Sequence, residues 1–259
     1  FVGACVETSR EHTATMLQDG RVLFTGGVNE GGVLNTALIF DPNYALRWYT
    51  AANLPLPLHS QAAAPLKDGR VLIVGGNDGG GETEVSLVYT PTACPSPPCA
   101  ASGAWTDTRT TGNGPNLKRF SHTATLLPDG IIALIGGAKK NGESVSAMER
   151  FDVSFSSFQV GPALATKRAF HTATLAPDGQ IYVIGGFNGT NMLATSEQLH
   201  FTGVTDSVTP GVAPKVRQSS ITAVDVSPFG RGVSVTLTGT KFLGTGEAAG
   251  GGAASGNSS

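Results

Sequence analysis

Three histidines recur in one setting. His12, His122 and His171 each open the string H-T-A-T, and Gln61 stands at the same place in a fourth copy that reads Q-A-A-A. Imidazoles gathered by a rotational repeat are the donor set of a metal centre. The same regularity supports a plainer role, because a side chain repeated in frame answers a packing problem that every repeat shares. The copy with Gln shows that coordination is not what the position requires, so we read the histidines as packing residues and expect no metal and no cofactor. Cys94 and Cys99 are the other candidates for chemistry, bracketing Pro-Ser-Pro-Pro. That arrangement suits a small disulfide-closed loop and an oxidising compartment; two free thiols in a cytosolic loop are the alternative. Cys5 is left without a mate in the chain.

The histidines are positioned by a repeat. Each copy runs from its first strand through an Asp-Gly turn ending at Gly20, Gly69, Gly130 or Gly179, spacings of 49, 61 and 49 residues, to a second strand closed by Gly-Gly at 26, 75, 136 and 185. The second strands, such as Val71-Leu72-Ile73-Val74 and Ile181-Tyr182-Val183-Ile184, are continuous apolar runs. A strand apolar on both sides must be covered on both faces, which predicts blade sheets stacked around an axis. Third strands follow the diglycines (Ala37-Leu38-Ile39-Phe40 is the first), and outer strands carry Trp48, Trp105 and Phe158. The long second spacing is accounted for by the cysteine loop. The fold class expected is all-β, a propeller of four-stranded blades with at least four blades visible over residues 1–206. Residues 207–218 read as a linker and 219–259 as a partial immunoglobulin-like β module.

Composition narrows the function classes. With 35 glycines, 15 prolines and 14% charged residues the chain is turn-rich and offers almost no helical periodicity. A net charge of -2 gives no basic stripe for a phosphate backbone, and no apolar stretch approaches the ~18 residues of a membrane span. We therefore expect neither nucleic acid as a partner nor a membrane span. The chain begins at Phe1 without a signal pattern, and four copies are few for a closed ring, so we expect a piece of a longer protein.

A period near 50 with a diglycine resembles the kelch repeat. The resemblance rests on Arg10, Arg119 and Arg168 ahead of the first strands, the four Gly-Gly pairs, Glu149 near Phe151-Asp152, and Trp48 and Trp105. It covers residues 7 to 206. Kelch architecture implies that the loops after the diglycines share one rim with the lead-in segments. The candidate ligand-binding residues there are Arg10, Asn29, Asn77, Asp78, Arg119, Lys139, Arg168 and Asn188, with turn formation and solvated charge as the competing reading. Asn188-Gly189-Thr190 and Asn257-Ser258-Ser259 also match the glycosylation sequon. The segment V-S-V-T-L-T-G-T-K-F near the carboxy terminus resembles the opening of an immunoglobulin-like module of the IPT/TIG kind.

The resemblance implies a secreted or surface-exposed bacterial protein without catalysis in the visible chain, binding a protein or glycan or self-assembling into a larger extracellular structure. Galactose-oxidase-like relatives make a copper oxidase or sugar-processing enzyme the alternative, its catalytic residues lying outside this segment. None of Tyr44, Tyr49, Tyr89 and Tyr182 adjoins a histidine, so the sequence displays no copper site, catalytic residue or nucleophile motif.

Overall fold

The computed structural model describes residues 9–43, 48–92, 103–111, 114–201, 206–210, 221–224 and 237–239. The first repeat forms β1 (Thr13–Met16) and β2 (Val22–Thr25), a short hairpin of β3 (Val28–Asn29) and β4 (Gly32–Val33), then β5 (Ala37–Phe40) and β6 (Trp48–Thr50). The second forms β7 (Ala62–Pro65), β8 (Val71–Val74), β9 (Ser86–Thr90) and β10 (Ala104–Asp107). The third forms β11 (Thr123–Leu126), β12 (Ile132–Ile135), β13 (Met148–Asp152) and β14 (Ser157–Val160). The fourth forms β15 (Thr172–Leu175), β16 (Ile181–Ile184), β17 (Ser196–Phe201) and β18 (Asp206–Pro210). Each repeat is thus a four-stranded antiparallel sheet, an all-β arrangement consistent with propeller blades. Among the described residues the one helical element is a 3-10 turn, Thr108–Thr111, and no helix is long and apolar enough to cross a membrane.

The Asp-Gly signal becomes a three-residue hairpin. Gly20 N–H donates to Leu17 O, Leu17 N–H donates to Arg21 O, and Gly20 takes φ +85°. Asp19 accepts from the Arg21 amide, and Asp68, Asp129 and Asp178 do the same two residues on. Asp therefore rigidifies the turn while Gly supplies its left-handed corner.

The first strands β1, β7, β11 and β15 lie side by side in that order. A backbone relay links the residues just ahead of them: Ser60 donates to Glu11 O at 2.9 Å, Ser121 to Ser60 O at 2.8 Å, and Phe170 to Ser121 O at 3.0 Å. All four sit at φ between +51° and +60°, a left-handed conformation that costs about 1–2 kcal/mol each without glycine and is offset by the relay. Apolar cores fill the spaces between sheets. Leu23 and Ile39 meet Val71, Ile73 and Leu87; Leu72, Val74 and Val88 meet Ile132, Leu134 and Phe151; Ala133, Ile135 and Met148 meet Ile181, Val183 and Leu199. Each such aliphatic side chain contributes about 1.5–3 kcal/mol by leaving water.

Covering on both faces, the sequence expectation for every second strand, holds in β8 and β12, which are buried throughout. It fails in β16, where Ile184 is 44% exposed because no further sheet lies against it among the described residues. Among those residues, no backbone hydrogen bond joins Glu11 to Phe170.

The expected outer-strand aromatics pair across strands in three sheets: Phe40 with Trp48, Tyr89 with Trp105 and Phe151 with Phe158, ring centroids 4.7 to 5.0 Å apart. In the fourth sheet Leu199 and Val208 take that place. The fourth sheet also corrects a boundary. Residues 207–210, read as linker, belong to β18, which pairs with β17 along its length. Beyond it, β19 (Ile221–Val224) and β20 (Leu237–Gly239) form a two-stranded antiparallel pair, and the rest of the expected immunoglobulin-like segment lies outside the described residues. So do Cys5, Cys94, Cys99, Tyr44 and Asn257.

Candidate functional site

Backbone bridges of Arg10 with Val28, His59 with Asn77, Phe120 with Ala138 and Ala169 with Phe187 set each lead-in segment beside its own diglycine loop. Lead-ins and loops thus share one end of every sheet. Within the loops, Asn and Asp fold the chain back on itself. Asn29 accepts from Gly31 N–H, Asn77 from Gly79, Asp78 from Gly80 and Gly81, and Asn188 from Thr190 and Asn191, all at 2.7 to 3.1 Å. These side-chain oxygens are spent on Asx turns, which hold the loop shape and leave the amide NH2 groups of Asn and the backbone carbonyls as the outward chemistry. Lys139 faces Glu143 at 3.5 Å, and Lys167 bonds the same carboxylate at 2.7 Å.

The three arginines of the motif part company. Arg119 and Arg168 lie three residues before their histidines and are almost wholly buried, 1% and 0% exposed. Arg119 pairs with Glu149 and donates to the carbonyls of Gly136 and Ala147; Glu149 in turn accepts from the Asn116 backbone and side chain. Arg168 pairs with Glu197 at 2.7 Å and donates to Gly185 O and Thr195 O, and Glu197 accepts from the amides of Ala165 and Thr166. Burial pushes the Arg119 pKa down, against the pull of the Glu149 charge. Their side chains belong to the interior and not to a rim surface, each guanidinium set against a buried carboxylate. Arg10 lies one residue later in the frame, where His59, Phe120 and Ala169 stand, and is exposed beside Glu11.

The histidines sit in the sheet-to-sheet seams. A Cβ on Gly75 would lie 2.7 Å from the His122 ring, and one on Gly136 would lie 2.8 Å from the His171 ring. His171 Nε2 is 3.1 Å from Thr123 Oγ1 of the preceding sheet. For His122 the corresponding neighbour is Ala62, and among the described residues neither ring nitrogen has a partner. Burial, reinforced by Arg119, holds His122 well below the ordinary imidazole range; burial beside Arg168 lowers His171 to about 4. Both are neutral at pH 7. Gln61 solves the same seam by donating to Thr25 O at 2.8 Å. Of the tyrosines, Tyr89 is buried against Trp105, and Tyr182 donates to Asp178 at 3.0 Å.

The structure also assembles a polar group that the repeat did not mark. Ser60 Oγ donates to Glu11 Oε2 at 2.6 Å, and His59 Nδ1 lies 2.8 Å from the same oxygen. The Ser60 hydrogen bond keeps the Glu11 carboxyl below its usual pKa despite partial burial. With Ser121 next along the relay and the Phe170 ring 63% exposed at its end, this row combines a carboxylate, an imidazole, hydroxyls and an aromatic face on the diglycine-loop side. Such groups can engage hydroxyl-rich or peptide ligands by hydrogen bonding and stacking. The only advance signal was the residue before each His or Gln, which varies from copy to copy. On the opposite side a hollow of about 270 Å³ is lined by Asp19, Arg21, Asp68 and Arg70, whose charges already pair with one another.

No family model matches the chain, and no curated protein does. Among solved structures, one described as the structure of YjhT is similar in fold, with a TM-score of 0.61 at 15% identity over 77% of this chain and 68% of that one.

Proposed function

We propose that the chain is the blade array of a kelch-type propeller serving as a non-catalytic binding or scaffold unit, secreted or displayed at a bacterial surface, whose rim takes a glycan or protein ligand. The observation that carries this reading is the division of labour among side chains. The residues repeated in frame, Arg119, Arg168, His122 and His171, are consumed inside and between sheets, whereas Glu11, His59 and the Asx loops differ from copy to copy and stay at the surface beside Ser60. Variation on a rigid repeat is how loops carry specificity.

The test is binding by the labelled full chain to a glycan array and to extracellular proteins, beside the variant E11Q/H59Q/S60A. Capture by the parent with loss of at least ten-fold in the variant supports the rim as the site. Silence of the parent on every surface removes the binding role.

A further inference from the structure

The third sheet is joined to both neighbours by a different side chain from the one that joins the first sheet to the second. At each of the three seams the second glycine of a diglycine donates to the next lead-in segment: Gly27 to Leu58 O, Gly76 to Arg119 O and Gly137 to Arg168 O, at 2.7 to 2.9 Å. Beside these bonds runs the relay from Ser60 to Glu11 O, Ser121 to Ser60 O and Phe170 to Ser121 O. The side chain wedged over the first glycine is Gln61 in the first seam, His122 in the second and His171 in the third. Gln61 has no titratable proton and is tied to Thr25 O. The two imidazoles are 4% and 3% exposed, and they abut Gly75 and Gly136 so closely that a Cβ there would come within 2.7 and 2.8 Å.

A closed seam has no place for a proton on either ring. From the second repeat His122 faces Gly75, and Gln61 and Ala62, which lead into β7, carry no charge either. Arg119 of its own lead-in and His171 of the next both repel a proton there, and its ring nitrogens have no partner among the described residues. His171 is set between Arg168 and the neutral Thr123 hydroxyl, and the Arg168 backbone offsets only part of its burial. The nearby carboxylates are committed, Glu149 to Arg119 and Asn116, Glu197 to Arg168 and the amides of Ala165 and Thr166. We propose that the two seams bounding the third sheet are acid-operated joints: proton uptake by His122 or His171 frees the rim end of its seam, while the Gln61 seam stays closed. The apolar clusters deeper between the sheets keep them together, so the opening is local. One joint parts Gly76 from Arg119 O and Ser121 from Ser60 O; the other parts Gly137 from Arg168 O and Phe170 from Ser121 O. Ser121 belongs to both, so acid cuts the rim row on either side of it. A ring released to water takes its proton near the ordinary 6.5 and the closed ring does not. Opening is therefore indifferent to pH above that value and increasingly favoured below it.

Hydrogen–deuterium exchange of the full chain, with each amide corrected for its intrinsic chemical rate, tests this. Between pH 7 and about pH 5 the protection of Gly76, Ser121, Gly137 and Phe170 is expected to fall about twenty-fold, and that of Gly27 to change less than about two-fold. Glu11, kept below its usual carboxyl range by the Ser60 hydrogen bond, holds its charge across this interval, so the Gln61 seam keeps its own ties. H122Q is expected to abolish the change at Gly76 and leave it at Gly137, and H171Q to do the converse. The inference is overturned by an equal fall at Gly27, by unchanged protection at Gly76 or Gly137, or by acid sensitivity that survives at the substituted seam.

Discussion

The second and third sheets meet the same packing demand with different chemistry. In the third, Glu149 stands across from Leu134 and is held by Arg119 and by the amide of Asn116. In the second, Leu87 stands across from Ile73 at the equivalent place, Leu58 replaces the arginine, and Pro55 occupies the position of Asn116. Leu58 and Leu87 are both 0% exposed and share one apolar cluster. Proline brings no N–H, so the loss of the carboxylate strands no donor there. The three replacements are mutually consistent. The buried arginine and glutamate of the third and fourth sheets are therefore one of two ways to tie a lead-in segment to its third strand, and neither way requires a ligand.

Breaking the ionic version in halves produces the largest effect. E149L leaves Arg119 buried and unpaired, and equilibrium urea unfolding is expected to show a loss of about 3–5 kcal/mol. The next effect contrasts His171 with Gln61. His171 is lowered to about 4 in the folded chain from an ordinary value of 6.5, so the unfolded chain binds the proton first as pH falls. Stability attributable to this group is complete above about pH 6.5, declines as pH drops toward 4 and levels off below, a change of about 3 kcal/mol. H171Q, which installs the second sheet's choice, is expected to flatten that part of the pH profile; an unchanged slope would place the sensitivity elsewhere.

A glycine inside a seam and the equivalent glycine of the fourth sheet differ by a smaller amount. G136A and G185A share the cost of a left-handed alanine, but in G136A the new Cβ also falls 2.4 Å from Arg168 O. G136A is expected to lose about 1–3 kcal/mol more than G185A in urea unfolding, and equal losses would show that the space over Gly185 is as crowded as that over Gly136. Smallest is H122Q. A carboxamide there reaches for Val74 O as Gln61 reaches Thr25 O, and the midpoint of urea unfolding should rise by about 1 kcal/mol.

Much of the fold was legible from local pattern. Val71–Val74 and Ile181–Ile184 are strands with the predicted limits, because continuous apolar runs, Asp-Gly turns and diglycines act over a few residues. Counting back from the histidines would have separated Arg10 from Arg119 and Arg168, since Ser9 holds their place. The candidate site was less legible. Glu11, His59 and Ser60 meet across a repeat boundary, so no window of sequence contains the group, and the Glu11 and His59 types recur in no other copy at those places. The exposure of Ile184 was equally hidden, because an apolar strand looks the same whether or not a further sheet covers it. The outer strand β18 was missed for a related reason: its sheet has Val208 against Leu199 where the others have an aromatic pair.

The central claim, that the in-frame charged residues serve packing and leave recognition to the rim, is tested most directly by moving the second sheet's solution into the third. Urea unfolding of N116P/R119L/E149L should give a stability within about 1 kcal/mol of the parent chain, recovering the loss caused by E149L alone. A triple variant as unstable as E149L would contradict the account.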